Sequence, residues 1–266
     1  MVKTFIVAGL AEWVCALKRF RVALLLARRD IVSRYRRSKI GPWWITISTA
    51  VNIAAIAAVF GGLFGHSIKE FLPHLTVGLI LWQFISGTLL EGGSAFTESA
   101  GLLRQMTIPV FVFLIQGVAR NLAIFFHNFA IVPFVFYFCD VPITLVGLIS
   151  SFAGLSIVCA NLLWMSCILA FLCSRFRDIS NILGSILQIV FYMSPIIWIV
   201  PRGNEFLIEI MNYNFVNYFL ELVRGNLIGE LASVKIWLVP LIISILGWSI
   251  ALYVVGRFKP KLIYWL

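Results

Sequence analysis

The sequence predicts an all-α integral membrane protein, one transmembrane domain over residues 1–266 with six spanning helices. Three observations carry that prediction. The chain is 61% hydrophobic and only 12% charged, with a mean hydropathy of +1.00, where a soluble domain averages about 25% charged residues. Its apolar runs are long enough to cross about 30 Å of hydrocarbon, which takes roughly 20 helical residues each. Its cations are segregated by side: 16 of the 21 Lys and Arg fall in segments on one face of a six-span threading and four on the other, with Arg120 inside a span. That bias holds the cation-rich side in the cytoplasm and returns both termini there.

Taken in order, residues 10–39 form the first element. Leu10, Trp13, Val14, Leu17, Phe20, Leu24, Ala27 and Ile31 recur at helical spacing. Lys18, Arg19, Arg21, Arg28 and Arg29 fall mostly on other faces. Such a helix lies in the membrane interface with its apolar side down. Gly41-Pro42 ends it, and Trp43-Trp44 opens the first span at headgroup depth, where indole rings concentrate. The spans are Trp43–Phe64, Leu72–Leu90, Ile108–Phe138, Ile143–Cys173, Ile179–Val200 and Ile236–Gly256.

Two connections differ from simple loops. The cytoplasmic segment Glu91–Thr107 holds a short helix over 96–106, whose Leu102 and Leu103 face something other than solvent. The outer segment at 201–230 is too apolar for a free loop, and each half is too short to cross. Two short re-entrant helices fit it, with the turn between them covered by protein or lining a water-filled cavity.

Composition and motifs also exclude functions. In a soluble protein a formal charge of +10 would suggest nucleic acid; here its placement serves the membrane instead. The five cysteines, Cys15, Cys139, Cys159, Cys167 and Cys173, are odd in number and lack metal-ligand spacing. Embedded charges are costly and mark function by default, yet Glu91, Arg120, His127 and Asp140 are scattered along the chain. Arg120 therefore pairs with Glu91 or a helix carbonyl, or it contacts substrate. No G-x-x-x-x-G-K-[ST] loop is present, so any nucleotide is hydrolysed elsewhere.

Two stretches go beyond generic membrane physics. The first reads R-D-x-x-x-R-Y-R-x-S-x-x-G-x-x-W, at Arg29, Asp30, Arg34, Tyr35, Arg36, Ser38, Gly41 and Trp44. The second reads R-x-R-D-I at Arg175, Arg177, Asp178 and Ile179, then S-P-I-I at Ser194 to Ile197. In this order, with six spans, an amphipathic leader and a basic aromatic tail, the chain resembles the permease subunits of ABC-2 polysaccharide exporters. That family includes O-antigen, capsule and teichoic-acid export permeases.

The resemblance implies a homodimer in the bacterial cytoplasmic membrane, bound to two copies of a cytoplasmic ATPase that holds the ATP and Mg. This chain itself would need no cofactor and catalyse nothing. A glycan on a polyprenyl pyrophosphate would pass through an aromatic-lined channel at the dimer interface. The 96–106 helix would couple to the ATPase through Glu98, Leu102, Leu103 and Arg104. A cytoplasmic gate would use Arg34, Arg36, Arg37, Lys39, Arg175, Arg177 and Asp178, cations that would equally hold anionic lipid. Phe125, Phe126, Phe191, Tyr192 and Trp198 are the channel aromatics, competing with a packing role for each. Asn214, Phe215, Glu221 and Arg224 belong to the outer lid; the family often has Asn-Pro where this chain has Asn214-Phe215, while Arg224 keeps its place. Two other functions stay open: an ABC-2 exporter of a small amphipathic drug or lipid, and a membrane glycosyl- or acyltransferase, which would need a clustered acid-base site.

Overall fold

A computed structural model describes residues 2–36, 40–41, 43–64, 67–199, 205–229 and 232–266. The described residues are overwhelmingly helical and contain no strand. Five helical stretches are long and apolar enough to cross a membrane: Trp43–Gly62, Ile68–Glu98, Val110–Phe138, Leu145–Arg175 and Val234–Trp265. The chain is therefore a multi-pass membrane protein.

The interface element is two helices, α1 (Val2–Lys18) and α2 (Phe20–Tyr35), broken at Arg19. Helix α3 (Trp43–Phe64) matches its expected bounds. Helix α4 (Ile68–Glu98) is longer than expected by eight residues at its far end, because Gly92 and Gly93 let it continue against α8. A Cβ on Gly92 would collide with Ser166. The six-residue α5 (Ala100–Gln105) follows after a break at Ser99.

Helices α6 (Val110–Phe129) and α7 (Ile131–Phe138) form one expected span, interrupted at Ala130. Pro133 has no N–H to give the carbonyl four residues back, which explains the interruption. Asp140 then turns the chain in the left-handed region, at φ 58°, a conformation its short polar side chain tolerates. Thr144 caps α8 (Leu145–Arg175) by accepting from the Gly147 amide at 3.0 Å, a cap worth about 1 kcal/mol.

Of the expected span at 179–200, the helix α9 (Asp178–Met193) covers 16 residues, about 24 Å, and the chain goes on from Ser194 without helix. Ser194 is extended, at φ −98° and ψ 143°, as the residue before a proline must be. Beyond it Pro195 and Ile196 are buried beside α4.

In the segment before the last span, three short helices stand where two were expected: α10 (Glu205–Tyr213), α11 (Phe215–Leu220) and α12 (Asn226–Ile228). A π-helical turn, Glu221–Gly225, joins the last two. Residues 201–204 lie outside the described residues. Val216, Phe219, Leu220, Leu222, Val223 and Leu227 are all buried. The stretch is thus packed into the bundle, with the Leu222 carbonyl against Gly154 of α8. The last helix, α13 (Val234–Trp265), runs nine residues beyond its expected end and takes in the basic tail.

Two apolar clusters organise this architecture. The larger centres on α4, which is buried on several faces through Phe71, Leu75, Ile80, Leu81 and Ile85 and gathers α3, α6, α7, α8, α9 and the π-helical turn around it. The smaller joins Ala16, Ala23, Phe96, Phe111, Phe171, Ala251 and Val255 at the end where the basic segments collect, called the basic end below. There α1 lies along α13, and Cβ atoms on Gly9 or Gly256 would collide with the Leu252 and Phe5 carbonyls.

Candidate functional site: a charged junction at the basic end and a clamp at the other

The interface helices are tied to the spans by ionised side chains. Arg120, in α6, donates from Nη1 to Asp30 of α2 at 2.7 Å and from Nη2 to Glu91 of α4, also at 2.7 Å. Its Nε reaches the same Glu91 oxygen at 3.1 Å. Gln116 donates to Asp30 at 2.6 Å, and Asn121 donates to Glu91. Arg34 stands 3.6 Å from the second Glu91 oxygen. The Arg120 side chain is 13% exposed, so this is a largely desolvated group with two counter-charges. Charges so placed are retained only when paired and hydrogen-bonded.

The expected Arg120–Glu91 pair is present. Asp30 is the partner that reasoning from the sequence missed. It belongs to the R-D stretch, but as one more charge on an interface helix it carried no sign of a partner ninety residues away.

Beside this junction lies the other gate candidate. Asp178 is the first residue of α9 and exposed, where a carboxylate favours the helix dipole. Arg177 borders a cavity of about 420 Å³ with Ser94, Thr97, Ser180 and Asn181. Arg175 stacks 5.3 Å from the ring centres of Phe176 and Trp265, the latter of which also borders that cavity. Arg36 is exposed, while Arg37 and Lys39 lie outside the described residues.

The short helix expected over 96–106 is divided at Ser99: Phe96–Glu98 end α4 and only Ala100–Gln105 form α5. Glu98, which accepts from the Ser94 hydroxyl at 2.6 Å, and Arg104 are exposed. Leu102 and Leu103 are half-buried, with Leu103 against the smaller cluster. Leu103 holds α5 down and leaves Arg104 outward.

The opposite end holds a clamp around S-P-I-I. Arg224 is 4% exposed in the π-helical turn. It donates to the Pro195 carbonyl at 2.6 Å and to Glu221 at 2.7 Å. His74 Nε2 lies 3.1 Å from Arg224 and 3.2 Å from the same carbonyl. Asn214 caps α11 by accepting from the Val216 amide, and its Nδ2 donates to Ser194 Oγ at 2.8 Å. The carbonyls freed where α9 stops thus find donors on the lid segment. Phe215 packs edge-on to Phe219. His74 was not anticipated, since an isolated histidine near a span end carries no distinguishing pattern.

The five aromatics do not converge within one chain. Phe125 is 4% exposed and packs in the core against Phe84 and Phe129. Phe126, beside it, is exposed. Phe191 packs on Trp82, Tyr192 is exposed, and Trp198 donates to the Tyr192 carbonyl at 3.1 Å.

The family model described as ABC-2 type transporter matches residues 21–228. The chain is 20% identical over 250 residues to an O-antigen export system permease protein RfbA of Klebsiella pneumoniae, covering 87% of this chain and 91% of that one. It is 24% identical over 174 residues to the RfbA of Myxococcus xanthus, covering 65% and 66%. The family match runs from the start of α2, through the charged junction and S-P-I-I, to the end of α12, and the chain belongs to the ABC-2 type transporter family as a membrane transport subunit rather than an enzyme.

Proposed function

We propose that this chain is the permease of an ATP-driven exporter that carries a lipid-linked, O-antigen-type polysaccharide across the bacterial cytoplasmic membrane. The observation that carries the reading is similarity to O-antigen export permeases over 250 residues, at nearly full length in both chains. Two copies of the chain form the conduit, and two cytoplasmic ATPase subunits bind ATP and Mg and drive it. Both termini are cytoplasmic, which makes the basic end the inner one.

In this reading α5 couples the ATPase to the spans. Glu98 and Arg104 make the polar contacts, and Leu102 and Leu103 transmit movement into the smaller apolar cluster. Arg34, Arg36, Arg37, Lys39, Arg177 and Asp178 surround the entry of a pyrophosphate-bearing lipid, and Arg175 braces the tail through Trp265. Phe126, Phe191, Tyr192 and Trp198 offer ring faces to sugar C–H groups. The segment carrying Asn214, Phe215, Glu221 and Arg224 closes the outer exit.

Cells lacking the chain test the reading. They are expected to accumulate lipid-linked glycan internally, with assembly intact. A version lacking residues 97–106 is expected to insert in the membrane, fail to co-purify with the ATPase and leave export blocked. Normal surface glycan in the deletion strain would refute the substrate; retained co-purification would refute the coupling role of α5.

A further inference from the structure

A cavity of about 540 Å³ opens at the basic end between α1, the α5–α6 connection and the end of α13. Lys18, Arg19 and Lys259 stand at its edge. Its one carboxylate, Glu12, pairs through Oε1 with Lys259, and its Oε2 is buried without a hydrogen-bond partner among the described residues. Neither Lys18 nor Arg19 meets a carboxylate among the described residues; Arg19 spends one N–H on the Thr107 carbonyl at 2.9 Å. Leu103, Ile108 and Leu262 supply an apolar floor. The size is that of a small-molecule site, about 300–1,000 Å³, with two uncompensated cations beside a greasy wall.

The surroundings of the mouth decide what enters. Met106 and Ile263, which line the cavity, are exposed, and Val7, Leu10, Val14 and Leu17 form an exposed apolar stripe on another face of α1. Large apolar side chains repeated at three- and four-residue spacing on an exposed face belong against lipid. Lys18 and Arg19 thus stand at a membrane surface, at the depth where phosphate groups lie. Basic pockets beside spanning helices suit phosphate headgroups, with the guanidinium giving paired N–H donors to phosphate oxygens.

We propose that this cavity is a binding site for the headgroup of an anionic glycerophospholipid. Its phosphate lies between Lys18 and Arg19, and the start of its acyl chains runs along Met106 and Ile263. A seated lipid would fasten α1 to the α5–α6 connection. The site is independent of the glycan reading, since it requires only a membrane around α1.

Native mass spectrometry of the full-length purified protein, titrated with phosphatidylglycerol and separately with phosphatidylcholine, tests the site. Wild type is expected to retain one phosphatidylglycerol per chain at least tenfold more tightly than phosphatidylcholine. Lys18→Gln/Arg19→Gln is expected to lose that preference, and Lys261→Gln, a cation outside the cavity, to keep it. Equal loss in the control, or an unchanged double variant, overturns the proposal. So does competition by inorganic phosphate alone, which would mark a free-anion site. A double variant that binds lipid normally but loses the ATPase would assign the cavity to that partner and overturn it too. Photoactivatable phosphatidylglycerol on the wild type needs no variant: cross-links are expected within residues 15–19 or 259–263, and their absence there contradicts the site.

Discussion

Arg120 and Asp30 meet at 2.7 Å across ninety residues of sequence, and Glu91 completes the contact from a third helix. Removing the cation strands Asp30 and leaves Glu91 with Arg34 as its one cation among the described residues, and breaking a buried pair in this way typically costs about 3–5 kcal/mol. Arg120→Leu is therefore expected to lower the thermal midpoint of the detergent-solubilised protein steeply. Asp30→Asn leaves Arg120 with Glu91 and is expected to cost less. A cycle of Asp30→Asn and Arg120→Gln should return a coupling energy between about 0.5 and 3 kcal/mol; a value near zero would mean that the contact contributes nothing.

The exposed pair at the other end provides the contrast. Lys69 and Asp140 are 2.5 Å apart, but their side chains are 66% and 74% exposed. Solvent screening limits such a pair to about 0–1 kcal/mol. Lys69→Gln is expected to leave the thermal midpoint within about 2 °C of wild type in the same assay, at both low and high salt.

At the clamp, Arg224→Lys tests geometry against charge. Arginine serves the Pro195 carbonyl and Glu221 together from a planar fork, which a single ammonium cannot reproduce. The lysine variant is expected to lose about 1.5–3 kcal/mol, the range for hydrogen bonds to charged groups. A cysteine placed at Ile196, buried in the wild type, should become reactive to a membrane-impermeant maleimide in that background. Unchanged labelling would show that the clamp does not hold the segment closed.

These contacts explain what could be read from the sequence. Span existence was legible because hydrocarbon demands unbroken apolar runs, and α3 falls where its run begins and ends. Helix ends were not legible, since α4 and α13 persist into polar residues that pack against neighbouring helices. The end of α9 at Ser194 was legible in the S-P-I-I stretch, because Pro195 biases the residue before it away from helix. Glu91 and Arg120 announced a partnership because bare charges at that depth are costly. Asp30, His74 and the burial of Phe125 depend on which helix faces meet, and no local pattern encodes that.

The packing of α1 on α13 gives a further test. Gly256 faces the Phe5 carbonyl so closely that even a methyl group would strike backbone, which cannot rotate away as a side chain can. Gly256→Val is expected to lift α1 while leaving the spans folded. Hydrogen exchange should rise across residues 2–18 and stay unchanged in α4 and α8. Ala251→Gly, which removes a methyl from the smaller cluster without adding bulk, should loosen α1 far less.

The last test concerns α5, whose exposed Arg104 lies on a helix held down by Leu103. Because Arg104 has no carboxylate partner among the described residues, Arg104→Glu should leave stability within about 0.5 kcal/mol of wild type. Its effect should fall on association, where reversing one charge in a complementary contact slows docking and raises its dependence on salt. Co-purification of the ATPase is expected to drop at least tenfold at low ionic strength, with the thermal midpoint unmoved. Leu103→Ala should show the reverse pattern first, a lower midpoint from lost packing, because that side chain faces the protein's own interior. If both variants bind the ATPase as wild type does, the partner docks elsewhere on the basic end.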